Sequence, residues 1–172
     1  VGKATAALVQ TLGFRVVVVD DREELNTELR FRDCQRILLE PSEAAAAVAP
    51  TDRDWLLVVT HDHRLDEEAV DVFARLPHRY LGLIGSRRKV YRILSRIAAR
   101  RGLPDLSRTY APVGLDLGAV SPEEIAVSIA AELVALRHGR AAAHMRALDD
   151  PALARVLGGE LSAEAAAELP TE

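Results

Sequence analysis

Three consecutive cations, Arg87, Arg88 and Lys89, follow the turn Ile84-Gly85-Ser86 and open a segment whose apolar residues Val90, Ile93, Leu94 and Ile97 recur at the helical period. Cations in the first turn of a helix face its unpaired backbone N–H groups, which is unfavourable by about 0.3–1 kcal/mol each unless an anion is near. Gly85 permits close backbone approach and Ser86 supplies a hydroxyl, so these residues predict an anion or phosphate cradle. The other reading of the same residues is a solvated basic patch paired with local carboxylates.

Three further groups carry chemistry. Asp20 and Asp21 end an aliphatic run eighteen and nineteen residues after Gly2, near the spacing at which an acidic residue bonds a ribose hydroxyl in a dinucleotide-binding unit. Arg22 would instead favour a 2′-phosphate, and Asp-Asp-Arg is also ordinary turn chemistry. Thr60-His61-Asp62-His63 follows a second aliphatic run. In an extended conformation its two imidazoles share a side and could hold a metal if a third ligand existed, but none is identified. Alternatively, Asp62 or His63 caps a helix starting near Leu65, with Asp66, Glu67 and Glu68 complementing its dipole. The loop Tyr110–Ala119 contains Gly114, Gly118 and Asp116, and Asp116 could meet a ligand hydroxyl or one of the cations at 87–89.

The elements that must position these groups alternate. Apolar runs at Arg15–Asp20, Arg36–Glu40, Trp55–Thr60 and Tyr80–Ile84 predict strands buried on both faces, and Lys3–Leu12, Ser42–Val48 and Leu65–Leu76 predict helices between them. Ser121, Pro122 and Glu124 stand at the cap, first and third positions of a further helix that stops at Gly139. The fold class expected is α/β: a doubly wound, mostly parallel, Rossmann-like sheet with helices on both faces. Such a sheet has a strand and glycine loop before its first helix, and a chain opening Val1-Gly2-Lys3 lacks both, so an N-terminal truncation and an exposed strand edge are expected. Residues 1–140 are expected to form this domain and 141–172 a helical segment, from Pro151 to Leu157, with a flexible acidic tail.

Bulk properties exclude several classes. The 172 residues, 49% of them hydrophobic, suit one core without staples. A formal net charge of −4 argues against a general nucleic-acid binder. Cys34 is the only cysteine, which excludes a disulfide framework and a cysteine-rich metal site and fits a reducing cytoplasm. No apolar run approaches the ~20 residues of a membrane span, and no signal segment is present. A cytoplasmic protein with no nucleic-acid or membrane partner is expected.

In order, Asp20-Asp21-Arg22, Thr60-His61-Asp62-His63, Tyr80–Lys89, and Pro112–Gly118 with Ser121–Leu133 resemble the C-terminal Rossmann domain of the XdhC/CoxI family, the xanthine dehydrogenase accessory proteins. The resemblance covers about Val1 to Arg137. It implies a maturation factor, not an enzyme, that carries molybdenum cofactor, protects it, helps present it for sulfuration and delivers it to a xanthine dehydrogenase-type molybdoenzyme. A cysteine desulfurase and a second copy of the chain are further expected partners. Longer relatives have a Gly-x-Gly-His-Val-Gly loop, of which only Val1-Gly2 is present, and a separate domain with a cysteine motif that Cys34 does not match. Taken together, Arg87, Arg88, Lys89, Gly85 and Ser86 would hold the cofactor's phosphate. The loop at 60–63 and Asp116 would meet the pterin or the metal's oxo groups, and Gly2, Asp20 and Gly114 lie along the same sheet end. An NAD(P)-binding oxidoreductase or nucleotide-sensing domain would use that end too, although no Tyr-x-x-x-Lys pair stands on a helix and Tyr91 with Lys89 has the wrong spacing. A metallohydrolase built on His61 and His63 is the remaining alternative.

Overall fold

The computed structural model describes residues 1–143 together with 155, 157 and 158. The chain divides into two units, Val1–Arg140 and Ala141–Glu172. The helix expected from Pro151 to Leu157 is described only at Arg155 and Leu157, and the tail from Leu161 to Glu172 lies outside the described residues.

In the first unit the elements run α1 (Gly2–Thr11), β1 (Val17–Val19), β2 (Gln35–Ile37), α2 (Ala45–Val48), β3 (Trp55–Val58), α3 (His63–Phe73), β4 (Tyr80–Leu83), α4 (Arg87–Arg101), β5 (Thr109–Tyr110) and α5 (Pro122–Arg137). All strand pairs are parallel, as continuous aliphatic runs separated by helices require. They form two small sheets, β1-β2 and β3-β4-β5, consistent with the doubly wound sheet without its first strand that the sequence leads one to expect. Among the described residues β1 and β3 each bond a neighbour on one side only, and a groove separates their other edges.

Helices cover both faces. On one, Val70 and Phe73 of α3 and Val90, Ile93 and Ile97 of α4 pack with Leu81 and Leu83. On the other, Val9 of α1 and Ile129, Ala130 and Leu133 of α5 pack around Tyr80. An aromatic row crosses the second sheet: Tyr80 stacks on Tyr110 at 4.8 Å and lies 5.4 Å from Trp55. At Gly82 a Cβ would come within 2.7 Å of Val113 Cγ2, so the sheet tolerates no side chain there.

The local signals explain the best-defined ends. Ser121 accepts from the backbone of Glu124 and Glu124 returns the bond, forming the expected capping box with Pro122 behind it. Two carboxylates on α3 join it to α4. Glu67 meets Arg96 at 3.4 Å and Arg100 at 3.1 Å, and Asp71 meets Arg75, Arg100 and Arg101. Cys34 is buried beside Phe31 and Ala6, and burial raises its thiol pKa, consistent with a small apolar role.

Candidate site at the carboxyl ends of the strands

The turn after β4 builds the first half of the site. Gly85 has φ +147°, and a Cβ there would lie 2.5 Å from Lys89 Cδ. Its hydrogen therefore makes room for the lysine stem to pass over the turn. Ser86 caps α4, its hydroxyl oxygen accepting from Lys89 N–H at 3.3 Å. The N–H groups of Arg87 and Arg88 have no backbone acceptor, as the first turn of a helix dictates. Among the described residues neither guanidinium has a hydrogen bond or ion pair, and both residues are exposed.

Lys89 differs. Its ammonium is 2.5 Å from Oδ2 of Asp66, a fully buried carboxylate in the first turn of α3. Oδ2 takes no aligned hydrogen bond, so attraction between whole charges holds this contact. The other oxygen of Asp66 accepts the Thr60 backbone N–H at 3.2 Å and lies 2.8 Å from the Thr60 hydroxyl. Two motifs distant in sequence, Thr60–His63 and Gly85–Lys89, thus meet through Asp66. The expectation that three cations await one anion is corrected: Lys89 is neutralised from within, and Asp116, an exposed loop residue, is not its partner.

The histidine loop also departs from the extended geometry in which the imidazoles would share a side. The α3 helix already begins at His63, and Asp62 is its N-cap, accepting from Arg64 N–H at 2.6 Å. That bond holds the Asp62 carboxyl below its ordinary pKa. His61 and His63 are exposed, and His63 Nδ1 is 4.0 Å from Asp66 Oδ2. Among the described residues no three His, Cys, Asp or Glu side chains are grouped to hold a metal ion.

Asp20 is turned to its own loop. Arg22 grips it with two bonds, Nε at 2.8 Å and Nη2 at 2.7 Å, and the Arg22 N–H adds a third at 3.0 Å. Burial alone would raise the Asp20 pKa, but these bonds outweigh it and hold the carboxyl below its ordinary value. Asp21 is exposed. Gly2, Asp20, Asp21, Thr60 and His61 border one cavity of about 1050 Å³, whereas Asp62, His63, the 85–89 turn, Gly114 and Asp116 lie outside its wall. Gly114 has φ +96° and sits against Ser128, its N–H donating to Glu132 at 3.1 Å.

Two buried carboxylates that hold this region together carry little signal in the sequence. Asp66 reads there as a dipole complement, and only its position one helical turn after the Asp62 cap hints that it lies under the loop. Glu132 is buried on α5 among apolar neighbours, where it accepts the Tyr80 hydroxyl at 2.6 Å.

The family described as XdhC Rossmann domain matches residues 1–133. The chain belongs to that family. It is 36% identical over 141 residues to a protein of Escherichia coli described as uncharacterized protein YqeB, covering 80% of this chain and 26% of that one. It is 32% identical over 133 residues to a Bacillus subtilis protein described as a probable xanthine dehydrogenase subunit, covering 77% of this chain and 38% of that one. The crystal structure of a xanthine dehydrogenase from Bacillus halodurans aligns with TM-score 0.70 and 28% identity, over 87% of this chain and 41% of that one. This XdhC domain therefore spans well under half the length of each of these relatives.

Proposed function

We propose that this XdhC domain is the cargo-binding part of a maturation factor that carries molybdenum cofactor and delivers it to a xanthine dehydrogenase-type molybdoenzyme. The observation that carries the reading is the division of labour among three adjacent cations. Lys89 is spent on Asp66, while Arg87 and Arg88, with two N–H groups of the same helical turn, remain for an anion from outside. That donor set fits the cofactor's terminal phosphate, which guanidinium forks and helix N–H groups bind well. The exposed His61 and His63 and the Asp116 loop would face its polar pterin and oxo groups. The sheet-end position and the xanthine dehydrogenase names of two relatives support the same reading. The chain needs no general acid or base for this task, since binding, shielding and release suffice. A desulfurase that sulfurates the cargo and pairing with a second copy belong to the same proposal.

The test is titration of the purified chain with isolated molybdenum cofactor, followed by Trp55 fluorescence, with inorganic phosphate as competitor. Arg87→Glu/Arg88→Glu should lower affinity by about 10- to 100-fold, the scale of one charge-assisted bond, with an unchanged unfolding curve. Unchanged affinity sinks the assignment. The cavity bordered by Gly2, Asp20 and Thr60 favours one second reading, nucleotide binding. Tight binding of NAD or NADP that is insensitive to Arg87 and Arg88 would select it.

A further inference from the structure

The arginines of α4 divide by the side of the helix on which they stand. Arg96 and Arg100 lie against Glu67, and Arg100 and Arg101 against Asp71. On the face turned away from buried Val90, Ile93 and Ile97, the helical period gathers Arg88, Tyr91, Arg92, Ser95 and Ala99, all of them exposed. Among the described residues neither Arg88 nor Arg92 has an ion pair or a side-chain hydrogen bond. They stand one helical turn apart, a spacing at which like charges repel. Tyr91 lies between them in sequence with 66% of its surface in water, although the other large apolar positions of the helix point inward.

We propose that this outer face of α4 docks an acidic helix on the surface of a partner protein. Two guanidiniums one turn apart match carboxylates at the same four-residue spacing on a facing helix. Ser95 and Ala99 continue the face with small side chains, which let a facing backbone come near. Tyr91 supplies an aromatic anchor, and tyrosine and arginine are the residue types that carry much of the energy at protein interfaces. On a chain of formal net charge −4, this face is complementary to an acidic surface and so sets the orientation of approach. Nucleic acid calls for a broader run of cations, and a lipid surface calls for large apolar residues where this face has Ser95 and Ala99. Arg88 also borders the anion-facing turn, whereas Tyr91 and Arg92 have no part in the cargo reading, so the two readings fail separately.

The test is titration of the full chain, by fluorescence anisotropy at low salt, with a dye-labelled helical peptide of roughly 15 residues that carries glutamate at every fourth position on an alanine and leucine background, and with its glutamine counterpart. The glutamate peptide should bind and the glutamine peptide should not. Tyr91→Ala and Arg92→Glu should each weaken binding by about tenfold or more, with unchanged unfolding curves. Arg92→Glu keeps the helix, because its new carboxylate stands one turn from Arg88. Arg30→Glu, at an exposed cation outside α4, should leave binding unaltered. Absence of binding, or equal binding of the two peptides, overturns the proposal. So does an equal loss in Arg30→Glu, because bulk charge would then account for the contact. Tighter binding of single-stranded DNA or of phosphatidylglycerol vesicles, lost in Arg92→Glu, overturns it in favour of another polyanion.

Discussion

Lys89 of α4 reaches back across Gly85 and sets its ammonium 2.5 Å from the buried Oδ2 of Asp66 on α3. One interaction therefore fixes the height of the Gly85–Lys89 turn relative to the histidine loop. Lys89→Met leaves a carboxylate buried without its cation and should lower unfolding free energy by about 3–5 kcal/mol. Asp66→Asn in that background keeps an acceptor for Thr60 and should recover most of the loss. Urea unfolding of the two single variants and the double variant measures the coupling.

Gly85→Ala combines a left-handed φ with a Cβ driven into the Lys89 stem. A cost of about 1–3 kcal/mol from the backbone strain is expected. Adding Lys89→Ala to Gly85→Ala removes the contact but not the strain, so the two substitutions should not add. Equal and additive costs would show that the lysine does not cross the turn.

Asp20 should make acid unfolding depend on Arg22. Its folded pKa lies below the ordinary value of 3.8, so its stabilisation is complete above that value and disappears as pH falls through the lower folded one. Asp20→Asn should flatten this limb of the curve of melting temperature against pH, leaving the slope at neutral pH unchanged.

Burial raises the Tyr80 pKa well above the ordinary tyrosine range, and the Glu132 carboxylate raises it further. Tyr80 therefore stays a protonated donor while the chain is folded. Alkaline titration followed by ultraviolet absorbance should leave Tyr80 un-ionised until unfolding. Tyr80→Phe deprives buried Glu132 of a donor, leaving it the Gly114 N–H, and should cost about 1–3 kcal/mol.

Removing the cap with Ser121→Ala should cost about 1 kcal/mol, the usual value for an N-cap oxygen. Thermal unfolding provides the measurement. Glu124→Ala should add little once Ser121 is gone, because the box is reciprocal.

Much of this is readable in the residues, for identifiable reasons. Aliphatic runs at Val17–Val19 and Trp55–Val58 locate strands, although Val17 is exposed and only β4 is buried at every position, and Ser121-Pro122 with Glu124 writes a helix start in local chemistry. Strand β5 is not legible, since two residues, Thr109 and Tyr110, pair with β4 without any apolar run of their own. Nor is the partner of Lys89, because the ion pair joins positions 66 and 89 through a crossover and leaves no local pattern. On α5 the periodicity finds Ile129 and Leu133 but passes over Ser128 and Glu132, which are buried because the 114–115 loop and Tyr80 satisfy them.

The cations of α4 are not equivalent at a distance. Arg96, Arg100 and Arg101 lie against Glu67 and Asp71, whereas Arg87 and Arg88 have no ion pair among the described residues, on a chain whose formal net charge is −4. A small anion approaching that turn should be drawn by Arg87 and Arg88 against the overall negative charge. Its rate of arrival should fall steeply as salt shortens the Debye length toward about 8–10 Å, while the α3–α4 ion pairs, being partly buried, are little affected.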